Sequence, residues 1–259
     1  MRAQAAEAMK EKWLLLITGI IAIGLIFFVY KLWYPLTVNV NLIDLPLTKY
    51  NLITFYDRKE RRDISLPVSK QTKITVSQVP SDVITTLLKL KDRQFFNDNT
   101  LANLKLFCSG LTGRNFDSYT PGITLKVARN LLIVQRNAIP SIPEEAIVAY
   151  KIESSLSKEK ILEAYLNNLY YGDGIFGIAT AAQYYFGKDL AKLQPDEIAI
   201  LVGIAVDTLD AVLKNEQNFK RKDYIEIKRN RVMDLMGAEG IISKEQVENY
   251  KKMPLKIDI

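Results

Sequence analysis

The chain reads as a mainly helical protein with a small β-rich N-terminal region, preceded by one transmembrane helix. Three observations carry that reading. The run from Trp13 to Tyr30, WLLLITGIIAIGLIFFVY, holds no charge; β-formers cluster between residues 37 and 78; and from Ser81 onward apolar residues recur at three-to-four spacing. The chain divides accordingly into a cytoplasmic N-terminus (1–12), an anchor (13–34), a β-rich region (35–78) and a helical domain (79–259).

A helix over the apolar run is about 27 Å long at roughly 1.5 Å per residue, close to the hydrocarbon thickness of a bilayer. Trp13, Tyr30, Trp33 and Tyr34 flank it, where amphipathic rings favour the water interface. A cleaved signal peptide is the competing reading, but Lys31 to Pro35 offer no small-residue cleavage site. Arg2, Lys10 and Lys12 precede the run and Lys31 alone lies close behind it, so the positive-inside rule places the N-terminus in the cytoplasm and the body outside. In the β-rich region, Thr37–Leu42, Leu52–Tyr56 and Lys73–Val76 read as strands, with a charged turn from Asp57 to Asp63. Beyond it, Val83, Ile84, Leu87 and Leu88, then Ile161, Leu162, Tyr165, Leu166 and Leu169, mark helical faces. Ser157, Pro195 with Asp196 and Glu197, and the Ser243/Gln246 capping box mark helix starts.

Composition narrows the chemistry. The 259 residues include no histidine, which excludes imidazole acid–base steps, Ser-His-Asp relays and His-ligated zinc. Cys108 is the one cysteine and reads as a structural thiol. Any reaction must therefore run on carboxylates, amines or hydroxyls. The net charge of +6 suits an anionic partner or an ordinary solvated surface. The basic residues Lys220–Lys222, Lys228, Arg229 and Arg231 fall on an amphipathic helix on the outward side of a membrane, which argues against nucleic acid and for a solvated or phospholipid-facing surface.

Residues 157–203 carry the most specific signal. Ile161-Leu162-Glu163, Tyr165-Leu166-Asn167, Tyr170-Tyr171-Gly172, Gly174 and Gly177 are followed by Ala181-Ala182, Tyr185-Phe186-Gly187-Lys188, then Leu193, Glu197, Ala199 and Leu201. This string resembles glycosyltransferase family 51, the peptidoglycan glycosyltransferases that form the transglycosylase domain of penicillin-binding proteins. The likeness extends upstream to Val79-Pro80 and downstream through Lys228–Met233 and Gly240–Ser243. It implies a lysozyme-like helical fold on a single anchor at the outer face of the bacterial inner membrane. It also implies lipid II and glycan strands as ligands, two glutamates for the chemistry, and cations or a divalent metal for the departing pyrophosphate.

Measured against that family the chain is a degenerate member. The first glutamate position, eleven residues after Pro80, is Lys91, followed by Asp92; Phe95 keeps its place and Asp98 replaces a histidine. An amine of ordinary basicity, pKa about 10.4, is protonated at neutral pH and cannot take a proton from a sugar hydroxyl. Asp92 and Asp98 stand as substitute bases. In the second motif Thr124 and Asn130 remain and Arg129 keeps a cation, while Pro121, Gly122, Leu125 and Lys126 replace side chains able to hydrogen-bond a substrate. In the third, Glu145 holds the second glutamate position and Ser141-Ile142 replaces a basic pair. The resemblance thus points to Thr124, Lys126, Arg129, Asn130, Tyr165, Asn167 and Gly172 as substrate-binding. No cofactor is expected, and a divalent cation only if the protein is active.

Three functions follow as expectations. The first is a retained fold that has lost or nearly lost lipid II polymerisation and binds or scaffolds other envelope components. The second is an active, divergent glycosyltransferase using Glu145 and a substitute base. The third is an envelope assembly protein with no lipid II affinity, its partners met through residues 37–78.

Overall fold

The computed structural model describes residues 2–40, 52–57, 62–67, 71–97, 122–136, 140–205 and 222–257. It comprises two compact units, Met1–Val38 and Asn39–Ile259.

In the first unit, α1 runs without a break from Arg2 to Trp33. Pro35 follows, lacking the amide that a further helical turn needs, and the chain tightens into a 3-10 turn at Tyr34–Thr37. The large apolar side chains described on α1, among them Ile17, Ile21, Leu25 and Phe28, are each at least half exposed, up to 69% at Ile23. Among the described residues, no helix is long and apolar enough to cross a membrane.

The second unit opens on an antiparallel hairpin, β1 (Leu52–Asp57) with β2 (Arg62–Pro67), paired from Leu52 with Pro67 to Asp57 with Arg62. The expected strand at Leu52–Tyr56 is therefore β1, and Arg62 and Asp63, expected in the turn, belong to β2. Two other expected strands are corrected. Residues 37–40 hold no strand, and Leu42 lies outside the described residues. Residues 71–75 form no strand and lead into a 3-10 turn at Val76–Gln78, with Thr75 itself extended. Their period-two alternation is real, but the groups that answer it are helix side chains. The amides of Thr72, Ile74 and Val76 donate to Thr180 Oγ1 (2.9 Å), Asn167 Oδ1 (3.1 Å) and Glu163 Oε2 (3.3 Å).

Helices follow: α2 (Ser81–Lys91), α3 (Ile123–Arg136), α4 (Ile142–Ser155), α5 (Lys158–Asn168), α6 (Ile178–Phe186), α7 (Pro195–Ile204), α8 (Lys222–Ala238) and α9 (Lys244–Lys252). The start signals hold. Ser157 accepts from the Lys160 amide, Gln194 and Glu197 form a capping box with Pro195 inside the first turn, and Ser243 with Gln246 forms another. A capping box at Ser141 and Glu144 starts α4. Helix α7 is buried along its whole length from Asp196 to Ile204 and packs on α8, α2 and α6, while α3 packs on α4 and α5. Gly203 sets the α7–α8 spacing: a Cβ there would stand 3.1 Å from the Lys228 carbonyl oxygen.

Charged side chains close several helix ends. Lys188 reaches Glu197 Oε1 at 2.6 Å, tying the end of α6 to the start of α7. Arg229 is fully buried and donates to the carbonyls of Met253 (2.9 Å) and Lys251 (3.2 Å) at the end of α9. Between α5 and α6, a loop turns through Gly172, Gly174 and Gly177. It is closed by the Tyr171 amide on Ile175 O and the Gly177 amide on Leu169 O. Behind it lie the buried Tyr171 and Tyr185, the Tyr185 hydroxyl donating to the Tyr171 carbonyl.

Two outcomes follow. Arg229→Ala removes both carbonyl bonds at once and should cost about 2–4 kcal/mol in urea unfolding; a loss under about 0.5 kcal/mol would show that α9 is held by packing alone. Burial, then the charge of Tyr185, pushes the Tyr171 phenol well above its ordinary value. Burial raises Tyr185 as well, with Asp173, Tyr184 and Tyr170 adding to it. Raised folded values mean that the unfolded chain ionises first. Stability should therefore be intact below about pH 10 and fall above it. An unchanged urea midpoint between about pH 9 and about pH 11 would contradict this.

Candidate functional site

The residues singled out by sequence lie on α2, α3, α4, α5 and the loop after α5, and the structure gives most of the described ones structural partners. Lys91 is the last residue of α2. Its Nζ donates to the Ala205 carbonyl at 2.9 Å, and Ala205 is the C-cap of α7. The ammonium thus sits at the negative end of a helix whose terminal carbonyls have no next turn to bond, an arrangement worth about 1 kcal/mol.

Asp92 caps α2 and also starts α3: its Oδ2 accepts from the Ile123 amide at 2.8 Å. A carboxylate at a helix N-terminus is favoured by both hydrogen bonding and the helix dipole. Gly122 makes the approach possible, since a Cβ there would lie 2.7 Å from that same oxygen. As a substitute base, Asp92 is compromised by this capping duty. Asp98 lies outside the described residues.

Glu145 and Arg129, expected as a reacting carboxylate and a substrate-binding cation, meet each other. Arg129 Nε donates to Glu145 Oε1 at 2.8 Å and the terminal NH2 to Oε2 at 2.9 Å, a two-pronged fork across α3 and α4. The glutamate side chain is 4% exposed and the arginine 16%. Removing either member would leave the other's charge buried, at a cost of about 3–5 kcal/mol.

Thr124 Oγ1 donates to Glu153 Oε1 at 2.8 Å, and Lys158 Nζ meets the same oxygen at 2.9 Å, knitting α3, α4 and α5 together. Lys158 also stands 4.8 Å over the Phe95 ring. Lys158 is the residue that sequence reasoning missed. Its partner lies five positions back, across the break between α4 and α5, so no helical spacing announces the contact. Lys126 and Tyr165 are both buried and come together, the ammonium 6.0 Å from the ring centre. Asn130 is partly buried on α3.

Asn167, expected as a substrate binder, clamps the segment before α2. Its amide accepts from the Ile74 amide and donates to the Ile74 carbonyl at 2.8 Å, replacing the missing strand partner of that segment. Gly172, in the loop after α5 at φ +89°, accepts from the Ile175 amide. Neither residue converges with the Arg129–Glu145 fork by any bond in the described residues.

The family resemblance implies a divalent cation for an active enzyme. Among the described residues no three carboxylate or cysteine groups converge, and a guanidinium meets both oxygens of Glu145. Hard divalent ions require several oxygen donors.

The family profile described as Transglycosylase matches residues 60–237. Penicillin-binding protein 1A of Aquifex aeolicus is 29% identical over 251 residues, covering 93% of this chain and 34% of its own length. Penicillin-binding protein 4 of Bacillus subtilis is 26% identical, covering 85% of this chain and 35% of its own. Penicillin-binding protein 1A of Haemophilus influenzae is 31% identical over 195 residues, 73% of this chain and 22% of its own. The crystal structure of the Haemophilus influenzae protein aligns at 21% identity and a TM-score of 0.43, over 80% of this chain and 21% of that one. This chain thus spans about a third or less of these relatives.

Proposed function

The chain belongs to the transglycosylase family, and from that premise we propose that it is a peptidoglycan glycosyltransferase-like protein of the bacterial envelope in which lipid II polymerisation is lost or severely impaired. The retained fold acts as a binding or scaffolding component at the outer face of the inner membrane. The observation that carries this reading is Lys91. Where the family resemblance places a proton acceptor, this chain has an amine, and that amine is engaged on the Ala205 carbonyl. Lysine donates and has no lone pair to offer while protonated. A group recruited to close a buried helix end is also costly to redirect toward a substrate.

The anchor belongs to the same proposal. Helix α1 exposes a continuous belt of large apolar side chains that water does not favour. Its sequence is charge-free from Trp13 to Tyr30, the length a bilayer core requires. Arg2, Lys10 and Lys12 before the run, against Lys31 alone close behind it, support a cytoplasmic N-terminus and a helical body outside.

Purified protein in detergent with lipid II should yield no processive glycan strands yet retain labelled lipid II in a binding assay. Strands that vanish in Glu145→Ala would replace this reading with the active glycosyltransferase, and absence of binding would replace it with the assembly protein. Lys91→Met tests the engagement itself. It should lower stability by about 1–2 kcal/mol by freeing the Ala205 carbonyl, and a variant as stable as the parent would remove the structural role.

A further inference from the structure

We infer that Arg129 is a second and independent block: it withholds Glu145 from chemistry, so that correcting Lys91 alone leaves the protein silent. The inference rests on the reading of an impaired polymerase and extends it to the one glutamate position that this chain keeps.

The argument starts from geometry. The guanidinium is planar, and two of its nitrogens meet the two carboxylate oxygens at 2.8 and 2.9 Å. This parallel fork is the strongest and most directional pairing the two groups can make, and a lysine cannot reproduce it, because an ammonium is a point charge on a flexible stem. Burial adds to it. With the carboxylate 4% exposed and the arginine 16%, little water competes for either partner, and the arginine is the member nearer to solvent. A sugar hydroxyl approaching Glu145 therefore meets a carboxylate whose two oxygens already accept charge-assisted bonds.

The surroundings hold the fork in place. Glu145 lies in the first turn of α4, started by the Ser141–Glu144 capping box, and Arg129 lies on α3, started by Asp92. Neither helix is free to rotate without losing its cap. The third-motif basic pair is Ser141-Ile142 here, and Ser141 now serves as the cap. Arg129 is accordingly a positioning residue acting through Glu145.

The test reads Glu145 directly. Carbodiimide coupling to an amine nucleophile, followed by peptide mass spectrometry, reports how readily each carboxylate reacts; the exposed Glu159 serves as internal reference. In the native chain Glu145 should couple at least about tenfold more slowly than Glu159, and in Arg129→Lys, checked for helix content, the gap should close. Equal coupling in the native chain, or no change in a folded Arg129→Lys protein, would overturn the block. Equal coupling in the native chain overturns the block even if Arg129→Lys does not fold.

Polymerisation separates this inference from the reading beneath it. Lys91→Glu alone should make no strands from lipid II, and Lys91→Glu with Arg129→Lys should make them. Strands from Lys91→Glu alone would overturn the block by Arg129 and leave the role of Lys91 standing. Strands from the unaltered chain would overturn the impaired-polymerase reading itself. A folded double variant that couples at Glu145 yet makes no strands would overturn the inference, because freeing Glu145 would then not be what the chemistry lacks.

Discussion

A helix buried along its length must still satisfy the carbonyls and amides that its last turns leave open, and this constraint organises the protein. Helix α7 is the extreme case, covered from Asp196 to Ile204. It is opened by the Gln194–Glu197 capping box with Lys188 on the same glutamate, and at its far end the Ala205 carbonyl receives Lys91. The same logic recurs at α3, begun by Asp92, and at α9, ended by Arg229. An unanswered buried backbone group costs about as much as the hydrogen bond it lacks, so each charged residue contributes by preventing a loss.

That accounting extends to the positions that the family resemblance singles out. Lys91 and Asp92 are adjacent in sequence, yet one closes the end of α7 and the other the start of α3. Gly122 is small because Asp92 needs the space. These three residues form one arrangement, in which a change at any of them disturbs a helix end before it touches a ligand. The buried charges follow the same rule of pairing: Glu145 with Arg129, and Glu153 with Lys158 and Thr124.

The segment before α2 shows how a local pattern can be answered by partners that spacing along the chain does not announce. The alternate amides of Thr72, Ile74 and Val76 are read by Thr180 on α6 and by Asn167 and Glu163, one turn apart on α5. Side chains spaced at the helical period meet a backbone spaced at the strand period. Asn167 supplies both a donor and an acceptor, as a neighbouring strand would.

What the sequence determined by itself was whatever depends on near neighbours: the helical periods, the helix starts at Ser157, at Pro195 with Asp196 and Glu197, and at Ser243, and the family string from Ile161 to Leu201. It also determined the absence of histidine and the identity of Lys91, hence the classes of chemistry excluded. The tertiary structure decided the partners. That Arg129 faces Glu145, that Lys91 answers Ala205, and that Lys158 joins Glu153 depend on how α2, α3, α4, α5 and α7 pack. The reason is physical: hydrogen bonds within a helix are set by spacing along the chain, whereas a long cation's partner is whichever buried acceptor the folded chain brings within about 3 Å.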